Sequence, residues 1–487
     1  MIDLYISGGT YLTIDGQRRI IDNGAVAVDK GRIVAIGPAH ELDGRYEARR
    51  SITATNKAVM PGLIDTHGHA GHSLTKTIGE DRDSREWLDQ ADHIYFQSTT
   101  PEFWFADGRL SALERLKFGT TTGMAIVGSQ PRTDDPVYAS GTARGYQEVG
   151  VRGIVAVGPA RPPWPRTMST WDGDVRTDHE VSLEQCLETT AAVIEEWHGA
   201  ADGRIRVSIM MSTLVPSSDR NRPHSADHVT DVDRAQAEGV LRLANEYGTT
   251  MHAHVYYDMI RRAYHGDLDI LSPKLSLAHC TGINDEDIRI LAETGATVAH
   301  APSTRSYIRA RCPVPELIDA GVTVGLATDG TAPDRSFDLF AQMKAAMTLH
   351  RVHFQDWTYM PPGKVIEMAT IDAAATLGLQ DELGSLEVGK RADIILLDLE
   401  QPHLVPSVQI PQRIAYQAMG QDVDTVIVNG EIVMEGRVVT TVDERAVMRS
   451  ANEEAMKMVR RAGLESRLEV PGNFWSSTRY GIDENQQ

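Results

Sequence analysis

Pro61-Gly62-Leu63-Ile64-Asp65-Thr66-His67-Gly68-His69 runs small and apolar residues into a His-x-His pair. The stretch reads as a buried strand, residues 62–67, that ends in polar side chains. Side chains two apart on a strand share a face. His67 and His69 are therefore expected to point the same way, as two imidazoles must to hold one metal ion. A lone His-x-His after a strand is more often a surface feature, so the weight of this one depends on the rest of the chain.

Outward from it, short apolar strands alternate with helix-length segments, the pattern of parallel α/β structure. Strands are expected at 120–127, 151–157, 205–211, 249–255, 275–279, 296–300 and 322–328, and helices at 101–117, 182–198, 231–247, 285–294 and 314–320. With 62–67 this gives eight strands, the number of an α/β fold of the (β/α)8 TIM-barrel kind, whose active sites sit at the C-terminal strand ends. A doubly wound open sheet would want a Gly-rich phosphate turn after its first strand, and the sequence has none there. The proline-rich stretch 158–178, with Trp164 and Trp171, reads as an irregular loop that walls or lids the pocket.

The two chain ends read differently. Residues 3–7, 11–13, 24–29, 32–37 and 58–60 look like short strands between turns, and so do 392–399, 423–428, 431–435 and 437–439. Neither set is large enough to bury a core alone. They are expected to pair into one small β-sandwich domain: 1–60 its first half, 61–375 the barrel, 376–445 its second half, and 446–487 a C-terminal helix and tail.

Composition excludes several partners. The 487 residues carry 48 basic and 68 acidic side chains, a formal charge of -20, which argues against nucleic acid or an anionic membrane as partner. The three cysteines, Cys186, Cys280 and Cys312, make no disulfide framework and suit a reducing cytoplasm. Met1-Ile2-Asp3-Leu4 opens no secretory signal, and no apolar run reaches the ~18 residues needed to span a bilayer. The expectation is a cytoplasmic homo-oligomer, dimer or tetramer, that acts on a small molecule.

Polar residues at the expected strand ends carry the chemistry. Strand one gives His67 and His69, strand five His252 and His254, strand six His279 and strand eight Asp329. Singly, each is more often a satisfied core histidine or a helix-capping aspartate. Converging on one barrel mouth, they form a metal site.

Here the chain resembles the amidohydrolase superfamily, and within it the atrazine chlorohydrolase and cytosine-deaminase-like group. The matching runs are 61–69, Leu277-Ala278-His279-Cys280-Thr281-Gly282, 295–302 (GATVAHAP), 321–330 (GVTVGLATDG) and 384–397 (GSLEVGKRADIILL). The resemblance implies one divalent metal held by His67, His69, the strand-five histidine and Asp329, with His279 close by. Zn²⁺ suits mixed His and Asp ligation, and Fe²⁺ or Co²⁺ would fit as well. Asp329 would relay protons and His279 would orient water or stabilise an oxyanion. Two-metal relatives bridge their ions with a strand-four lysine. Residues 205–211 contain none, which favours a single ion.

The chain also departs from the group. Related deaminases keep a glutamate three residues after the strand-five histidine, where it protonates a ring nitrogen. That place falls on Tyr257 if His254 is the ligand, and on Val255 if His252 is. His254 is preferred, with His252 one pleat deeper as hydrogen-bonded support. Pro302-Ser303-Thr304-Arg305 replaces the group's Pro-x-Ser-Asn. Substrate contacts are expected from His72, Trp87, His252, Tyr257, Ser303 and Arg305. Three activities fit: hydrolysis of a non-peptide C–N bond on an N-heterocycle; cleavage of an amide, urea or carbamate, or dechlorination of a triazine-like ring, by the same centre; and a non-catalytic scaffold.

Overall fold

The structure is a computed structural model of the whole chain. It describes every residue except 79–83, 219–227, 305–309, 333, 471–473 and 475–487, together with the side chains of 84–88 and 218. Eight parallel strands follow one another in chain order: Leu63–Asp65, Thr120–Val127, Arg152–Val157, Ile205–Met211, Met251–Tyr256, Leu275–Thr281, Thr297–His300 and Val324–Leu326. Strand eight returns to strand one through Thr66, whose N–H and Oγ1 both donate to the Leu326 carbonyl at 3.1 and 2.8 Å. The (β/α)8 TIM barrel expected from the alternation is the fold observed.

Each strand is buried on both faces, which explains its near-continuous apolar sequence. Ile64, Met124, Ile126, Ile154, Ala156 and Met210 face inward, and with Ala373, Ala374 and Leu377 of the helical segment after strand eight they form one apolar cluster. The alternate residues Ala125, Val127, Val155, Val207 and Ile209 join the core shared with the surrounding helices.

Strand one is shorter than expected. It covers only Leu63–Asp65, and His69 opens a separate two-residue strand, His69–Ala70, that pairs with Ile126 and Val127 of strand two. His67 and His69 thus do not share one continuous pleat; their rings stand edge to face, at 86°. The stretch 158–178 also differs from the expected irregular loop. Its second half belongs to an antiparallel hairpin, Arg166–Asp172 with Val175–Val181. Buried Arg132 pins that hairpin, donating to the Ser169 carbonyl, to the Tyr95 carbonyl (3.1 Å) and to the Tyr138 hydroxyl (2.7 Å). Trp171 Nε1 adds a bond to the Gln97 carbonyl at 2.8 Å. The hairpin is a fixed wall.

Strands from both chain ends share the smaller core. Lys57–Pro61 pairs antiparallel with Ile394–Asp398, and a second sheet is built from Ile2–Ser7, Gly24–Asp29, Arg32–Pro38 and Ala48–Thr53. Leu4, Ile6, Tyr11, Val26 and Val59 meet Leu386, Ile394, Leu396 and Ile427 between the sheets. Ile20–Asp22 and Ala48–Thr53 are strands without a sequence signal: five of their nine residues are charged or polar and exposed. Among the described residues, no helix is long and apolar enough to cross a membrane.

Candidate metal centre

The C-terminal strand ends bring His67, His69, His254, His279 and Asp329 together, all buried. Asp329 Oδ1 lies 3.4 Å from His67 Nε2 and 3.2 Å from His69 Nε2, and Oδ2 lies 4.0 Å from His279 Nε2. His254 Nε2 stands 3.3 Å from His69 Nε2. Donor atoms of His67, His69 and Asp329, and likewise of His67, His254 and His279, lie within 4.8 Å of one another.

The far side of each ring decides whether a cation fits. His69 Nδ1 is 2.6 Å from the Gly128 carbonyl, and His254 Nδ1 is 2.7 Å from the Ser212 carbonyl. A carbonyl can only accept, so both Nδ1 atoms carry a proton, and in the neutral rings both Nε2 atoms carry lone pairs. Two lone pairs facing each other at 3.3 Å, with a carboxylate oxygen alongside, repel unless a cation lies among them. Buried His67 Nε2 points into the same space. The donor set fits a divalent ion.

His252 stands behind the cluster. Its Nε2 is 2.8 Å from His67 Nδ1, and its own Nδ1 is 2.5 Å from Ser276 Oγ. With both ring nitrogens engaged and the residue fully buried, it has no contact to offer a substrate. It orients His67, as outer-shell partners of metal-facing histidines do. The substrate contact expected of His252 is thereby corrected to a supporting one.

Electrostatics agree with the geometry. Burial, reinforced by His67, His69 and His279, keeps His254 neutral by holding its pKa well below the usual value. Burial likewise lowers that of His67. For Asp329 burial works to raise the pKa, but its contacts with the His67 and His69 imidazoles prevail and hold it well below the carboxylate range. Asp329 and His279 both adopt left-handed backbone, φ 64° and 72°, a strain that persists where the surroundings over-determine it. Asp329 N donates to the His67 carbonyl at 2.9 Å, and its Oδ1 accepts from Gly330 N at 2.7 Å, so this conformation is held from both sides.

The remaining candidates are placed less uniformly. His72 stacks on His69 and on Tyr95, at ring separations of 4.8 and 5.6 Å, with Nε2 2.9 Å from Ser129 Oγ. It is buried and stacked on His69, where a substrate contact was expected. The turn that carries it is held by buried Asp107, which accepts from Gly71 N and Ser73 N at 2.6 and 3.0 Å and whose pKa burial pushes up to about 6. Tyr257 follows strand five in left-handed backbone (φ 55°), its ring against Gly282. Ser303 is half-buried, with its N–H on Gln342 Oε1 at 3.4 Å. Trp87 lies on helix Ser84–Gln97, but its side chain, like Arg305, is outside the described residues.

Sequence reasoning missed Tyr256. Its ring stacks on His279 at 5.4 Å and 14°, completing a column that runs Tyr95, His72, His69, His254, His279, Tyr256. The signal was available: His252, His254 and Tyr256 alternate along one face of strand five.

Comparison with known proteins gives findings of three kinds. A family model described as the amidohydrolase family matches residues 58–433. The chain is 32% identical over 454 residues to a 5-methylthioadenosine/S-adenosylhomocysteine deaminase of Desulforudis audaxviator, covering 90% of this chain and 95% of that one. It is 30% identical over 476 residues to a 5'-deoxyadenosine deaminase of Methanosarcina mazei, covering 95% and 99%. Among solved structures, an adenosine deaminase from Xanthomonas campestris with bound zinc superposes with a TM-score of 0.80 at 23% identity, over 94% of this chain and 99% of that one. Atrazine chlorohydrolase TrzN from Arthrobacter aurescens complexed with zinc gives 0.74 at 21%, over 93% and 100%. At these identities the structural likenesses establish the fold.

Proposed function

The chain belongs to the amidohydrolase family and is a metal-dependent hydrolase of carbon–nitrogen bonds other than peptide bonds, and from that premise we propose that it deaminates an amino-substituted nitrogen heterocycle of the adenine type, using one zinc ion. The observation that carries the metal part of the reading is the convergence of two carbonyl-fixed Nε2 lone pairs, His67 Nε2 and the Asp329 carboxylate on one point. The heterocycle comes from the names of the relatives. Iron or cobalt would suit the same donors. The absence of lysine from strand four supports a single ion.

A divalent cation bound there supplies the Lewis acidity that brings the pKa of water toward neutrality. His67, His69, His254 and Asp329 would hold it. Asp329, kept anionic by its histidine contacts, accepts one proton of the attacking water and returns it to the departing amine, while the second water proton ends on the ring nitrogen, so that water and N=C–NH₂ become HN–C=O and ammonia. His279, 4.0 Å from Asp329 Oδ2, is placed to stabilise negative charge developing on the attacked carbon's oxygen. His279→Asn is expected to lower kcat by about 10²-fold, the typical effect of losing one such donor, with metal content unchanged as read by elemental analysis.

One observation favours a second reading. Tyr257 occupies the place three residues after His254 where a ring-protonating carboxylate would be wanted, so no carboxylate stands there. Amide, urea or carbamate cleavage needs no such step. The deciding experiment assays release of ammonia, amine and chloride across a panel of adenine-type nucleosides, anilides, phenylureas and chlorotriazines. Ammonia from the nucleosides is expected. Amine from the ureas, with the nucleosides inert, would overturn the deaminase reading in favour of the second.

Assembly as a homo-oligomer in the cytoplasm is proposed with it. It is supported by the apolar surface that Trp357 (84% exposed) and Val352 (71% exposed) leave to be covered, and by three buried, free cysteines. Light scattering reads the assembly state, and a monomer would overturn it.

A further inference from the structure

Behind the histidines, in the layer between the barrel wall and its helices, a guanidinium joins three strands. Arg115, in the last turn of helix Pro101–Lys117, is fully buried. Its Nη2 and Nε donate to Asp65 Oδ2 at 2.9 and 3.2 Å, and Nη2 also donates to the Met124 carbonyl of strand two at 3.1 Å. Asp65, the last residue of strand one and also fully buried, turns both oxygens toward strand eight. Oδ1 accepts from Thr328 N at 2.9 Å and Oδ2 from Thr328 Oγ1 at 2.7 Å. The far side of Arg115 rests on the ring of Phe337, 3.6 Å from its centroid, and Nη1 donates to the Tyr146 hydroxyl.

This arrangement explains a glycine. A Cβ on Gly68 would lie 2.2 Å from Arg115 Nη2, and one on Gly123 would lie 2.6 Å from Nε. The spacer of the His-x-His pair has no side chain because the guanidinium passes there. The connectivity is short: Asp65 stands two residues before His67, and Thr328 one residue before Asp329. Strands one and eight meet here through few backbone hydrogen bonds, since strand one ends at Asp65 and strand eight at Leu326. Beside the bonds from Asp329 N to the His67 carbonyl and from Thr66 N to the Leu326 carbonyl, the carboxylate that bridges them helps to set how far His67 and His69 stand from Asp329.

We infer that Arg115 and Asp65 form a positioning clamp for the metal-facing donors, so that loosening the clamp weakens metal binding. The inference rests on the metal reading above. Arg115 touches no substrate, and it acts by holding Asp65 in the pose that Thr328 meets. A buried ion pair that served stability alone would leave metal affinity untouched when exchanged conservatively.

The test titrates zinc into metal-free wild-type, Arg115→Lys and Thr328→Val proteins against a chelating dye, with the melting temperature of each metal-free protein read in parallel. Arg115→Lys keeps the charge but loses the planar fork that spans Asp65 and Met124. Thr328→Val keeps the ion pair and removes its side-chain tie to strand eight. Each variant is expected to raise the zinc dissociation constant by about 10–100-fold, the range for lost outer-shell partners of metal ligands. A constant within threefold of wild type in a folded Thr328→Val protein overturns the clamp, whatever Arg115→Lys does, so the outcome is decided even if Arg115→Lys fails to fold. A wild-type protein that binds no zinc overturns the metal reading itself, which is a separate result.

Discussion

Asp329→Asn is expected to lower kcat by about 10²–10⁴-fold, the range for a general acid–base group, in a chain that keeps its fold and its metal. The carboxamide preserves size and retains one oxygen for coordination, but it cannot accept the water proton. In the structure Asp329 Oδ1 already serves three neighbours, His67, His69 and Gly330 N, while Oδ2 faces His279. With Oδ1 among the His67 and His69 nitrogens, Oδ2 on the His279 side would be the oxygen that takes the proton. Parallel measurement of kcat and bound metal checks this. Retention of more than about a tenth of wild-type kcat, with metal in place, would remove Asp329 from the proton relay.

The second large effect separates the two strand-five histidines. His254→Gln is expected to strip the metal, because the lone pair that Ser212 fixes toward His69 disappears. His252→Gln is expected to leave metal bound at wild-type stoichiometry while activity drops about 10–100-fold, since only the orientation of His67 is disturbed. Elemental analysis after dialysis reads the first effect and steady-state kinetics the second. Metal loss in His252→Gln with retention in His254→Gln would reverse the assignment.

Most of the fold was legible because both faces of every barrel strand are buried. Runs such as 120–127 and 205–211 then stand out as stretches of mostly apolar, small or β-branched residues at helix-length intervals. The donors were legible for a related reason, since barrel strands end in polar side chains only where chemistry or capping needs them. Legibility ended where structure depends on partners remote in sequence. Nothing near residue 115 tells that its guanidinium crosses to Asp65, and nothing near 128 or 212 tells that their carbonyls fix histidine tautomers. The hairpin at 166–181 escaped because its strands are mostly polar and exposed, and it is held by Arg132 and Trp171, which period-two reading cannot weigh. Tyr256 was masked by its neighbour Tyr257, which falls on a motif position, although the alternation along the strand marks Tyr256 as the inward residue.

The interleaving of the chain ends in the small domain bears on how the protein is made. Lys57–Pro61 leads straight into the barrel, yet its antiparallel partner, Ile394–Asp398, lies about 330 residues further on. At ribosomal speeds of ~5–20 residues per second, an apolar strand edge waits roughly 15–70 s for its mate to emerge. During that interval Ala58, Val59 and Met60, all inaccessible in the finished molecule, are open to any neighbouring nascent chain. The barrel can close on its own timetable, but the sheet beside it is finished only near the end of translation. A higher level of holding chaperones during synthesis is therefore expected to raise the yield of soluble protein.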